Sequence, residues 1–369
     1  MPKNKSNIRS EGDRILSTSQ AINEALAEVG ARNKDVLLFA EGIDDPSAVY
    51  GTTKDLRKIY GDARIIEMPV AENGLCGVAI GASICGKRPV ISFHRVEFAL
   101  LAMEQIVNNA AKMHYASNGQ HKSPIVIRLV IGRGWGQGPQ HSQSLETLFA
   151  SIPGLKVLMP VFPGDTKGML IAAVEDNNPT IIIEHRWCHY VKGHVDEGYY
   201  TCDISSPKQI RKGNDVTIAS TSYSTLEAIK ACDALNSIDI HADLFDMRSV
   251  SPLNVQGLIS SVEKTGRIMT VDIGHKTYGI GAEIIASVLE STKQPMNSNP
   301  VRIALPDHPV PSSRGYIPGL YPDANKIVKR ACEMVGVEDD KINYSLEYLK
   351  KSQGDLPVDV PDPSFHGPF

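Results

Sequence analysis

Glu72 is the single charged residue between Glu67 and Lys87, in the run Met68-Pro-Val-Ala-Glu-Asn-Gly-Leu-Cys-Gly-Val-Ala-Ile-Gly-Ala-Ser-Ile-Cys-Gly86, whose other members are nearly all small or apolar. An ionised carboxylate buried without a partner is costly, so such a group finds a partner or takes up a proton, and either outcome serves proton chemistry. The competing reading is a helix-start residue whose charge meets the free amides of the first turn. His141 follows the glycine-rich stretch Gly132-Arg-Gly-Trp-Gly-Gln-Gly138, where a scaffold can project a titratable side chain into a cleft; a hydrogen-bonded structural histidine is the alternative. His94 ends an apolar strand, the place where open α/β sheets bind ligands, or it simply caps the strand exit. Asp176-Asn-Asn-Pro179 reads as a turn after a helix, or as a hard-oxygen cation site made from the last helical carbonyls and one carboxylate.

Other features carry less. The glycine-rich stretch lacks the Gly-Lys-Ser or Gly-Lys-Thr of a phosphate loop, and Gly279-Ile-Gly281 lacks the third glycine of a dinucleotide fingerprint. Cys76, Cys85, Cys188, Cys202, Cys232 and Cys332 include no C-x-x-C pair, so they read as free thiols, with Cys76 and Cys85 as packing residues.

Strands alternating with helices must hold these residues. The first unit reads as a helix over 15–29, strands over 35–40 and 64–66, a helix over 73–85, a strand over 88–93, a long helix over 97–115 and a strand over 124–130. A strand over 155–159, a helix over 165–175 and a strand over 180–183 complete it. After a polar stretch over 191–213 read as a linker, a second unit has strands over 216–219, 241–245, 268–271 and 302–305, and helices over 224–235, 252–264, 281–290 and 324–335. The fold class is α/β, with two doubly wound domains over 14–190 and 214–337. Residues 1–13 read as disordered, 338–369 as an extension, and the tail from 349 as irregular. With 369 residues, 42% hydrophobic and 22% charged, and a net charge of -4, the chain suits a soluble two-domain protein without the basic balance that holds nucleic acid. No run of about 18 apolar residues suggests a membrane span, and the expected compartment is the cytoplasm.

Met68 to Ala82 of that run, Glu104-Gln-Ile-Val-Asn-Asn-Ala-Ala-Lys112, Gln140-His-Ser-Gln143, Pro153-Gly-Leu-Lys-Val157, Asp176-Asn-Asn-Pro179, Asp246-Met-Arg-Ser-Val-Ser-Pro252 and Gly279-Ile-Gly-Ala-Glu283 follow one another in an order and spacing with a family likeness. Over 17–337 the chain resembles the beta subunit of thiamine diphosphate-dependent 2-oxo acid dehydrogenases, pyruvate dehydrogenase beta-like members of the transketolase superfamily. The resemblance implies a pyrimidine-binding domain followed by a transketolase C-terminal-like domain. It implies that Glu72 hydrogen-bonds a ring nitrogen of the cofactor's aminopyrimidine and so favours the tautomer that removes the thiazolium proton. Val70 and Phe98 would pack on that ring, and His141 would donate a proton near the substrate. Ile125, Ala173, Val174, Asp176 and Asn178 fall where the family holds a structural potassium ion. His94 departs from the family, whose members carry an apolar residue there, and is expected to add a polar contact to cofactor or substrate.

The form that holds diphosphate and magnesium in that family, Gly-Asp-Gly followed some way on by paired asparagines, does not occur in the sequence, and Asp176-Asn-Asn178 lacks the preceding element. The resemblance therefore implies an alpha-type subunit that carries them, in a two-plus-two heterotetramer. The expected activity is decarboxylation of a 2-oxo acid with transfer of the acyl unit. A split transketolase or acyloin synthase that moves a two-carbon unit between carbonyl compounds is the alternative, and a non-catalytic scaffold the third reading. The extension after Val337 and Arg314 favour the alternative, since dehydrogenase beta subunits end soon after the last helix and can dock an acyltransferase core there.

Overall fold

A computed structural model of the chain describes residues 14–45, 49–133, 137–354 and 360. The expected disorder of 1–13 and most of the expected irregular tail fall outside these residues. The chain opens with β1 (Ile15–Ser17), α1 (Thr18–Arg32), β2 (Val36–Ala40), the one-turn α2 (Arg57–Tyr60), β3 (Ile65–Glu67), α3 (Glu72–Ile84) and β4 (Arg88–Phe93). A helical segment over 98–116 ends in α4 (Ala111–Ala116), followed by β5 (Val126–Ile131), α5 (Gly138–His141), α6 (Glu146–Ala150), β6 (Lys156–Leu158), α7 (Pro163–Glu175), β7 (Thr180–His185) and β8 (Lys192–His194). Then come β9 (Lys208–Arg211), β10 (Val216–Ser220), α8 (Ser224–Asn236), β11 (Ala242–Asp246), β12 (Ser249–Ser251), α9 (Gln256–Thr265) and β13 (Ile268–His275). The last elements are α10 (Ile280–Ser291), β14 (Val301–Leu305), α11 (Ala324–Val335) and α12 (Asp339–Gln353).

Two main sheets result. The first has the order β12-β6-β7-β5-β4-β2-β3 and is parallel except for β12, a strand lent by the second unit that pairs antiparallel with β6. The second has the order β14-β13-β10-β11-β9, with β9 antiparallel at its edge. Every residue of β5 and β7 is buried, as a parallel strand covered by helices on both faces requires. On one face α1 buries Ala21, Ile22, Ala25, Leu26 and Val29 in a core shared with Met169, Leu170 and Ile171 of α7. The core on the other face runs on from Ile80 and Ile106 to Ile280 and Ile284, so the two units share one apolar interior.

Several segments differ from the sequence reading, among them the short α2, α5, α6 and β12, which it lacks. Ile15–Ser17 pairs antiparallel with Lys192–His194, so the first helix starts at Thr18, behind a capping box in which Ser17 and Gln20 exchange hydrogen bonds of 2.8 and 3.3 Å. The supposed linker contains β8 and β9, each drawn into a sheet. The long helix expected over 97–115 is broken into a 3-10 segment (Phe98–Ala102) capped by Glu97, a π turn (Gln105–Ala110) and α4. The extension after Val337 is helical to Gln353, since α12 buries Leu349 and Ser345, whose hydroxyl donates to the Ala234 carbonyl at 2.8 Å.

Candidate active site

Parallel sheets gather loops at the carboxyl ends of their strands, and within the run β5-β4-β2-β3 of the first sheet, β3 is followed by Val70 and Glu72, β4 by His94 and Phe98, and β5 by His141. Glu72 opens α3 after a bend at Val70, and it is only 4% exposed. Among the described residues its carboxyl has no hydrogen-bond or ion-pair partner, so its side chain does not cap the helix. Val70, two residues ahead, is 83% exposed.

Glu41, directly after β2, is a neighbour that sequence reasoning missed. Its Oε1 is buried without a partner, and burial, followed by the charges of Glu72 and Glu67, raises its carboxyl above the usual range. Glu67 is handled differently, accepting the amides of Gly42, Ile43 and Asp44 at 2.7, 2.8 and 3.3 Å. The only signal for Glu41 in the sequence is its position at a strand exit.

His94 is half-buried, and its Nε2 meets the carbonyl of Glu41. A carbonyl only accepts, so Nε2 holds the proton and donates it. Nε2 is thereby spent on the backbone, and Nδ1 is the ring nitrogen left for the polar contact expected of His94. Gly42, at φ +66°, lets this turn close, because a Cβ there would stand 2.8 Å from Asp45 Oδ2 and 3.3 Å from the His94 ring.

His141 ends α5, with its ring centroid 5.8 Å from that of the half-buried Phe98. Its Nδ1 pairs with the carboxylate of buried Glu97, and its carbonyl accepts from Arg95 Nη1 at 2.8 Å. Beneath the strand exits, Arg128 donates to Glu184 at 2.6 and 2.9 Å and to Ser92 and Thr52 at 3.2 and 3.1 Å, while His189 meets Glu184 at 2.9 Å. Burial alone would raise the Glu184 carboxyl, but Arg128 and His189 overcome it and bring it down to about 2. The glycine-rich loop's residues 134–136 are outside the described residues.

Of the five residues expected around potassium, Val174, Asp176 and Ile125 have acceptors already engaged. Arg88 Nη1 donates to the carbonyls of Val174 and Asp176 at 2.8 and 2.9 Å, and Lys156 pairs with the Asp176 carboxylate. The other Asp176 oxygen accepts from the backbone and side-chain amides of Asn178 at 2.8 and 3.0 Å, and the Ile125 carbonyl accepts from the Thr180 amide at 2.9 Å. Among the described residues no cluster of three or more histidine, cysteine or acidic side chains could hold a metal, and no helix is long and apolar enough to cross a membrane.

The elements beside Glu72 expose apolar side chains: Val78 of α3 at 58% and Leu101 of the 3-10 segment at 63%, in addition to Val70. The arrangement is a recessed, partnerless carboxyl flanked by a second acid, beside an oily surface. It can offer or take a proton in a hydrogen bond to a polar ligand atom.

Residues 15–188 match the transketolase pyrimidine-binding domain family, and residues 207–327 match the transketolase C-terminal domain family. The chain is 35% identical over 335 residues to the acetoin:2,6-dichlorophenolindophenol oxidoreductase subunit beta of Bacillus subtilis, covering 88% of this chain and 98% of that one. It is 32% identical over 336 residues to the mitochondrial pyruvate dehydrogenase E1 component subunit beta of Saccharomyces cerevisiae, covering 90% and 92%. A solved split-gene transketolase, described as an inactive beta4 tetramer, shares the fold with a TM-score of 0.70 at 24% identity over 87% of this chain and 99% of that one. The chain belongs to the family of beta subunits of thiamine diphosphate-dependent 2-oxo acid dehydrogenases, built from transketolase-type pyrimidine-binding and C-terminal domains.

Proposed function

We propose that this chain is the beta subunit of a two-subunit thiamine diphosphate enzyme that decarboxylates a 2-oxo acid and transfers the acyl unit. One observation carries the reading: Glu72 is a 4% exposed residue whose carboxyl has no partner among the described residues, next to Glu41, whose Oε1 is buried and unsatisfied there. Thiamine diphosphate, when bound, supplies a carbon nucleophile and an electron sink for breaking a bond beside a carbonyl. Glu72 would hold a proton at its pyrimidine nitrogen, Glu41 would keep the surroundings poor in compensating charge, and Val70 and Phe98 would pack on the ring. His141 would donate a proton near the substrate. The exposed apolar face at Val70, Val78 and Leu101 would receive an alpha-type subunit that brings the diphosphate and magnesium half, giving a two-plus-two heterotetramer. Domains over 14–190 and 214–337 and a cytoplasmic location belong to the same proposal.

The test is co-production with an alpha-type subunit, followed by proton exchange at the thiazolium carbon with thiamine diphosphate and magnesium. Glu72→Gln should abolish the fast exchange while assembly persists; exchange at the native rate would remove Glu72 from this role. The acetoin-linked relatives favour a second reading, an acyloin-handling enzyme. Carbon dioxide release from a 2-oxo acid selects the first reading, and turnover of an acyloin without decarboxylation selects the second.

A potassium ion at the Asp176 turn is a separate proposal. It would share the carbonyls of Val174 and Asp176 with Arg88, using the second lone pair of each. A melting temperature higher in potassium than in choline chloride at equal ionic strength supports it, and equal melting assigns the turn to Arg88 and Lys156 alone.

A further inference from the structure

Arg95, Val96 and Glu97 form a short turn after β4, and all three are buried. The Val96 amide donates to the Val130 carbonyl at 2.9 Å, which fixes the turn against β5, the strand that leads into the His141 loop. From this one turn the chain grips His141 twice. Arg95 Nη1 donates to the His141 carbonyl at 2.8 Å, and the Glu97 carboxylate meets His141 Nδ1. The Glu97 side chain is 5% exposed and that of His141 38%. The pair is therefore lopsided, with a buried acid behind a ring that faces outward beside Phe98. A carboxylate can only accept from Nδ1–H, so the ring nitrogen left for other work is Nε2. Glu97 caps the 3-10 segment, its carbonyl accepting from the Leu100 amide at 3.2 Å while its side chain turns to His141.

We propose that Glu97 is a positioning residue for His141: its buried carboxylate fixes the Nδ1–H tautomer, presents Nε2 to the cleft and balances the ring when it is protonated. The inference rests on the assignment of His141 as proton donor. No bond other than that to the transferred proton changes, and the proton leaves Nε2 for the substrate and returns from solvent. A second-layer carboxylate behind a histidine changes function by about 10-fold to 100-fold in comparable settings, because it sets tautomer and orientation together.

The experiment uses the enzyme assembled with its alpha-type subunit, thiamine diphosphate and magnesium. Glu97→Ala should lower kcat by about 100-fold with KM changed less than about 3-fold, and Glu97→Gln, which keeps an acceptor but loses the charge, by about 10-fold. In a His141→Ala background, Glu97→Ala should cost nothing further, since the two act as one unit. Native kcat in Glu97→Ala, or a full additional loss in the His141→Ala background, overturns the proposal. Native kcat in His141→Ala instead overturns the underlying assignment of His141. If Glu97→Ala fails to assemble, the near-isosteric Glu97→Gln carries the same comparison, and native kcat there with an altered KM overturns the role.

Discussion

In the first sheet, Glu184 near the end of β7 is buried beside Arg128 and His189 and stays ionised far below neutral pH. In the second sheet, Asp272 on β13 is buried equally deeply, yet its neighbour is another acid, Glu146 of α6. Gly274 passes between them: a Cβ there would stand 2.5 Å from Glu146 Oε1 and 3.3 Å from Asp272 Oδ1. Burial, then the charge of Glu146, raises Asp272 to about 7, against help from the amides of Gly274 and Gly281. Burial also raises Glu146, although the Ser144 hydroxyl donates to it. The contrast separates two ways of keeping an acid inside a protein. One surrounds it with cations and ties strand exits together; the other lets it hold a proton where two structural units meet.

Replacing Arg128 by Met should break the first arrangement with the largest effect. It leaves Glu184 buried beside His189 alone, and equilibrium denaturation should show a loss of about 3 to 5 kcal/mol. A loss below about 1 kcal/mol would mean that the cluster is not what distinguishes the two sheets. Asp272→Asn should act in the opposite direction, raising stability at pH 8 by about 1 to 2 kcal/mol. The sign follows from the raised carboxyl. Its contribution is complete below the unfolded value near 4 and declines as pH rises toward about 7, so the gain from Asn should vanish by about pH 4 and level off above pH 7. Glu184 runs the other way: its contribution is present above about 4 and is lost as pH falls toward 2. The smallest effect sets the scale for a solvated charge. Lys351 and Glu347 lie 3.7 Å apart on α12 with side chains 81% and 71% exposed, and Glu347→Gln should shift stability by less than about 0.5 kcal/mol.

Much of this was legible in the sequence because it depends on local pattern. The apolar runs of β4, β5 and β7 and the helices between them prescribe a parallel sheet, and a lone charge in a small-residue run marks Glu72. Glu41, Glu97 and the Glu146–Asp272 pair were illegible because each gains its character from a partner far along the chain. The loan of β12 to the first sheet was hidden for the same reason, since a three-residue strand carries no period. The π turn in the 98–116 segment leaves the helical pattern of its sequence almost intact, and α12 is too polar along most of its length to announce a buried stripe.

The oily ground around Glu72 also bears on supply. Val70, Val78 and Leu101 present apolar area to water that a soluble chain on its own would normally bury. Each molecule made without its partner carries that liability, and the surface that is useful for recruitment becomes a site for indiscriminate adhesion. Under the proposal that an alpha-type subunit covers this face, production of the chain would have to keep step with production of that subunit. Balanced synthesis of two polypeptides would then be a requirement of solubility before it is one of catalysis.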